Sequence, residues 1–151
     1  MKFKNRFNKR FEYKKTIITK IAAILIALIM LQTLFYKFTA APESVYVFNK
    51  VGLGAIGRIG IGIIELITAI LLVNKKTIIL GSILSIGVIS GAIFFHLTIL
   101  GIEVMHDKGL LFYLAMIVFV LSVLIIVINK KEVILLIEKV INITKPKKAN
   151  I

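Results

Sequence analysis

Arg58, Glu65 and His96 sit inside long apolar stretches of this chain, and Lys20 and Lys37 lie near the two ends of the first, where a lysine can reach the headgroups. An ionisable group inside such a stretch is costly unless paired or wet, so each of the first three is a candidate for function. Arg58 and Glu65 are seven residues apart, almost two helical turns, and leave the same helix face. They are therefore expected to line one polar cavity, meeting directly or through one water. Gln32, Tyr36 and Tyr113 occupy corresponding depths in neighbouring apolar stretches. Together with Arg58 and His96 they predict a polar layer to which every helix contributes. The chemistry available to such a layer is hydrogen bonding to the oxygens of a small molecule. Taken singly, Arg58 also suits an anchor that reaches the headgroups, and the two tyrosines suit an interfacial belt. His96 alone suits a packed histidine; without a second histidine in a span it does not suit haem ligation by this chain.

The elements that must position these residues follow from composition. Of 151 residues, 59% are apolar and 18% charged, and the mean hydropathy is +1.00. Soluble domains carry roughly 45 to 50% apolar and about 25% charged residues, so part of this surface must face lipid. Four runs, 17–38, 51–73, 78–101 and 109–128, each have about the 20 residues that a helix needs to cross hydrocarbon. The expected fold is an all-α integral membrane four-helix bundle, residues 17–128, with a basic tail at 1–16 and another at 129–151. Small residues after the first run, Thr39 to Ala41, also fit a cleaved leader, but the long basic region before it favours a retained span. With no cysteine in the chain, disulfides, thiol relays and thiolate-held metals are excluded. No metal-ligand spacing is present, and no cofactor is expected to be covalently bound.

The net charge is +13, and its distribution is that of a membrane protein rather than a nucleic-acid binder. Eight of the twenty basic residues precede Ile21 and six follow Ile128. By the positive-inside rule both termini are cytoplasmic, N-in and C-in. Gln32, Tyr36, Arg58, His96 and Tyr113 then fall in the outer half of the bundle, with Glu65 nearer its centre. Interfacial helices are expected at both ends. Phe3, Phe7 and Phe11 recur among basic residues, and Val133, Ile134, Ile137, Val140 and Ile141 share one side of a C-terminal segment. Such faces suit anionic lipid. Gly54, Gly57, Gly60 and Gly62, together with the Gly81 to Gly91 stripe, predict the second and third spans as the tightly packed pair. Small residues let helix backbones approach in lipid. The first and fourth spans are expected to face more lipid. Pro42, followed by Glu43 and Ser44, predicts a break after the first span and a new helix start.

The stretches from Leu31 to Tyr46, Gly57 to Leu66 and Ser90 to Glu103 resemble the DoxX family of small bacterial membrane proteins. The resemblance covers about 17–128, and its strongest element is the Gly-Arg…Glu pattern of the second span with Gly-Ala-Ile-Phe-Phe-His-Leu in the third. It implies a four-helix protein of the bacterial cytoplasmic (inner) membrane, a non-autonomous component of a membrane redox system. At most it would be the membrane subunit of a quinone-linked oxidoreductase, with a membrane or extracytoplasmic redox protein as partner. On that reading Arg58, Glu65, His96, Gln32, Tyr36 and Tyr113 bind a quinone or another small molecule. The other reading is a structural or assembly module whose polar groups lock helices and which has no chemistry of its own.

Overall fold

The computed structural model describes residues 2–144, and these form helices joined by short turns. Six α-helices follow one another: α1 (Lys2–Phe38), α2 (Pro42–Lys50), α3 (Gly54–Val73), α4 (Ile78–Phe95), α5 (Leu110–Ile128) and α6 (Lys130–Thr144). A π-helical turn, His96–Leu100, closes α4. Four segments are long and apolar enough to cross a membrane: Glu12–Phe38, Gly54–Val73, Ile78–Leu100 and Leu110–Ile128. Helix is the form such segments must take, because hydrocarbon offers no partner for a backbone amide. The chain is thus a helical bundle of the multi-pass membrane type.

At its N-terminus the structure differs from the expected separate surface helix. α1 runs without a break for 37 residues, roughly 55 Å at 1.5 Å per residue. No proline or glycine interrupts it. The expected aromatic stripe of Phe3, Phe7 and Phe11 concerns side chains outside those described. Beyond α1, Ala40 adopts a positive φ of 54° and Pro42 opens α2. Proline suits that position because its fixed φ is helical and its missing N–H would have had no partner. At the other terminus α6 forms as expected, and Ile134, Leu135, Ile137, Val140 and Ile141 are exposed on it.

The four long helices close a ring. α1 packs on α3 and α5, and α4 packs on the same two, which sets α1 diagonally across from α4. The core runs along α1 through Ala22, Ala23, Ile26, Ala27 and Met30, and meets Leu72, Val118 and Ile125. This corrects the expectation for the first span. α1 is the most buried of the four, whereas α5 is the least. Alanines at 22, 23 and 27 permit the close approach that the reading by glycine assigned elsewhere. Of the stripe, Gly62 faces Leu34 and Phe38 of α1, and Gly81 lies against the backbone of Leu71 and Leu72 in α3. At Gly60, Gly87 and Gly91 a Cβ would stand in open space. One glycine of α4, not the whole stripe, therefore marks its closest approach to α3.

Polar ties fasten the α6 end. Asn129 Nδ2 donates to Thr19 Oγ1 at 3.0 Å and to the Ile125 carbonyl at 2.7 Å. Ser122 Oγ donates to Ser85 Oγ at 2.9 Å between α5 and α4, both side chains fully buried. Lys15 Nζ lies 2.9 Å from Glu132 Oε1. That hydrogen bond holds the Glu132 carboxyl below its ordinary range, against a weaker upward pull from partial burial. The Lys15 stretch of α1 and the start of α6 consequently lie at the same end of the bundle.

The glycine contacts separate two kinds of position. Gly81→Ala should lower the thermal midpoint in mild detergent, at a cost of about 1 to 3 kcal/mol, because backbone lies within contact distance and does not yield. Gly87→Ala, in open space, should leave the midpoint unchanged or raise it. Thermal unfolding followed by circular dichroism reads both, and equal effects would remove the packing distinction.

Candidate ligand cavity

At the end opposite α6 the ring opens into a cavity of about 390 Å³. Its floor is aliphatic, with Met30, Ile89 and Val118. Its walls carry Gln32 and Tyr36 from α1, Glu65 from α3 and His96 from the π-turn, and its roof includes Ser44 and Phe48 of α2. Four of the six residues singled out from the sequence, Gln32, Tyr36, Glu65 and His96, thus border one space. Arg58 and Tyr113 do not line it. Tyr113 is 58% exposed, with its ring edge-on to Phe112.

The expected meeting of Arg58 with Glu65 is replaced by another pair. Lys37 Nζ lies 2.8 Å from Glu65 Oε2, with the side chains 13% and 6% exposed. Thr33 Oγ1 stands 3.3 Å from the same carboxylate oxygen and 2.9 Å from the Met30 carbonyl. Thr33 and Lys37 are four residues apart, so they leave one face of α1 toward α3. That spacing was visible in the sequence, but a lysine close to a span end reads first as a headgroup anchor. Arg58 is buried and donates instead to the carbonyl of Lys37. That carbonyl belongs to the last turn of α1, where intrahelical donors run out. Arg58 therefore caps α1, and a cation suits the negative end of a helix. Ser90 of α4 is exposed.

His96 owes its position to the π-turn. The Gly101 amide bonds back to the His96 carbonyl at 2.9 Å, five residues apart, and the Gly101 carbonyl lies 2.8 Å from His96 Nδ1. A carbonyl only accepts, so Nδ1 carries the hydrogen and Nε2 is left as the ring's other polar atom. Phe112 packs edge-on to the imidazole at 5.6 Å. π-turns inside helices recur at functional sites.

The loop after the π-turn is held by one carboxylate. Asp107 Oδ1 accepts from the amides of Val104 and Gly109 at 2.8 and 2.9 Å, and Oδ2 accepts from Leu111 at 3.0 Å. Burial pulls the Asp107 carboxyl upward, but the amides of Leu111, Val104 and Gly109, with His96 nearby, outweigh it and set it below its ordinary range. Around it Gly101, Met105, His106, Lys108 and Gly109 all adopt positive φ. Left-handed conformations cost non-glycine residues about 1 to 2 kcal/mol each, so the loop depends on this clasp. Asp107 borders the cavity, yet its lone pairs are committed to backbone.

Ser44 is the residue that sequence patterning marked only as a helix start. Its Oγ is buried and has no hydrogen-bond partner, and Ser44 lines the roof of the cavity. Buried polar atoms are normally paired, so this hydroxyl is a vacancy in the polar accounting. No family model, curated protein or solved structure matches this chain.

Two measurements test this geometry. Lys37→Met leaves a buried carboxylate without its cation and should cost about 3 to 5 kcal/mol, while Lys37→Met with Glu65→Leu should cost less than the two single changes summed. Additive losses in detergent melts would rule out the pair. For Asp107, the lowered pKa means that its stabilising effect is complete above 3.8 and is lost as pH falls through the lower folded value. Asp107→Asn replaces one of two accepting oxygens by a donor NH₂ and should cost about 1 to 2 kcal/mol at pH 7, and the gap to the parent should close below pH 3.8. A gap independent of pH would show that the charge is irrelevant.

Proposed function

We propose that this protein is a non-autonomous component of a membrane redox system, and that its cavity holds a quinone or another small molecule of similar polarity. The observation that carries this reading is the cavity itself, aliphatic below and polar above, with a buried hydroxyl left unpaired on its roof. Its volume, about 390 Å³, falls in the usual range for small-molecule sites, about 300 to 1,000 Å³. Tyr36, Gln32 and His96 supply hydrogen-bonding groups for carbonyl or hydroxyl oxygens, and Lys37 with Glu65 supplies a polar wall. The resemblance to the DoxX family agrees with this. In the proposed setting the membrane is the bacterial inner membrane, and the basic α6 end is cytoplasmic by the positive-inside rule. Anionic lipid meets α6 and the basic start of α1, and a membrane or extracytoplasmic redox protein supplies or takes electrons.

A second reading, a structural or assembly module, draws on different residues. Arg58 and Asp107 spend their polar groups on helix ends and a loop, the work of a scaffold. Purification in mild detergent followed by extraction of lipid-soluble compounds separates the two. A quinone recovered near one per chain, with a redox-dependent ultraviolet change, is expected. A clean extract and an unchanging spectrum would leave the scaffold.

A further inference from the structure

Resting on the ligand-cavity reading above, the geometry points to a lateral portal between α1 and α5 that admits an uncharged, single-headed amphiphile from the bilayer. The α1–α5 seam is tied at the α6 end, where Asn129 reaches Thr19. At the other end, residues from both helices border the cavity and are exposed. Tyr36 is 46% exposed and Leu110 56%, and Gln32 is exposed as well. A residue that both lines a cavity and reaches the outer surface of a span marks a mouth. The roof is covered over its middle, with Glu43 and Leu53 exposed at its edge. α2 lies across α3, α1 and the π-turn, and Ser44, Phe48 and Val104 on it and beside it are buried. A solute arriving from water meets that cover, whereas one dissolved in lipid meets an open seam.

Charge selects the head group. Lys37 and Glu65 already neutralise each other at 2.8 Å, and Asp107 is satisfied by three amides. An ionic head would enter a poorly solvated space whose inward charges, Lys37, Glu65 and Asp107, are already matched, at the cost of its own desolvation. Glu43 also borders the cavity, but it is exposed and water screens its charge, so it offers a cationic head little compensation. An uncharged hydroxyl or carbonyl has a partner in Ser44 Oγ, which donates or accepts. The aliphatic floor of Met30, Ile89 and Val118 suits the chain that follows.

Three photoreactive probes with the same diazirine-bearing alkyl chain, ending in an alcohol, a carboxylate or an amine, test this in nanodiscs. Labelled sites are located by mass spectrometry. The alcohol is expected to label the α4 and α5 segments that line the cavity at least about fivefold more than either ion, the effect of roughly 1 kcal/mol. Gln32→Trp and Leu110→Trp, at exposed positions flanking the mouth, should each cut that labelling about fivefold or more. They are scored separately, so misfolding of one leaves the other. Ser44→Ala should weaken labelling about fivefold without lowering the melting midpoint, since the hydroxyl makes no bond in the empty cavity. Equal labelling by an ionic probe would overturn the uncharged head. Unchanged labelling in whichever portal variants fold would overturn the lateral route. If either happens while a quinone still co-purifies, only this inference falls. Absence of cavity labelling by every probe, with a clean extract, removes the ligand reading as well.

Discussion

A cation and an anion meet in the bundle at 2.8 Å, and the layout around them depends on that contact. Neither Lys37 nor Glu65 is tolerable alone at low dielectric, so α1 and α3 must present them together. The last turn of α1 is then held twice, by the Lys37 side chain on Glu65 and by Arg58 on the Lys37 carbonyl. This fixes the α1–α3 seam where the cavity begins. Among the described residues the α1–α5 seam is tied by a side-chain hydrogen bond at the α6 end, Asn129 to Thr19, whereas at the other end Gln32, Tyr36 and Leu110 border the cavity.

The energies involved are uneven. Interhelical hydrogen bonds in membranes average only about 0.6 kcal/mol, because an unfolded helix in lipid also finds partners. Ser122 to Ser85 and Asn129 to Thr19 therefore set register more than they supply stability. Close contact of small residues does the larger share, and here it centres on three alanines of α1 and on Gly81. The buried ion pair stands apart from both. Replacing both charges by apolar residues of similar size is often neutral, whereas losing one partner is severe. A pair kept at that risk beside a cavity is better understood as a constraint on what the cavity accepts than as a source of stability.

What was legible in the sequence is what adds up locally. The span limits agree within a few residues, 51–73 against Gly54–Val73 and 109–128 against Leu110–Ile128, because hydropathy over about 20 residues is a sum. The helix after Pro42 and the amphipathic C-terminal helix were legible through proline geometry and periodicity. Gln32, Tyr36, Glu65 and His96 were found by depth, and depth follows from counting residues at 1.5 Å each. Helix rotation about the ring axis does not follow from counting. That is why Tyr113 sits on the surface at the right height, and why Arg58 turns to α1 rather than to Glu65. Alanines that pack as closely as glycine carry no distinctive mark in an apolar run. Ser44 was legible as a helix start, but its missing partner depends on where α2 lies across the bundle.

The loop from Gly101 to Gly109 links these two scales. Five residues at positive φ within nine is an arrangement that local preferences oppose, and three of the five carry side chains. It persists because the Gly101 carbonyl engages His96 on one side and Asp107 gathers three amides on the other. The same contacts hold the imidazole at the cavity wall and start α5 in the register that brings Leu110 and Leu111 to the cavity. Backbone strain in this loop, the π-turn before it and the position of His96 are therefore one arrangement. A sequence change that relaxes the loop should move the histidine and the mouth of the cavity together, even where it touches neither.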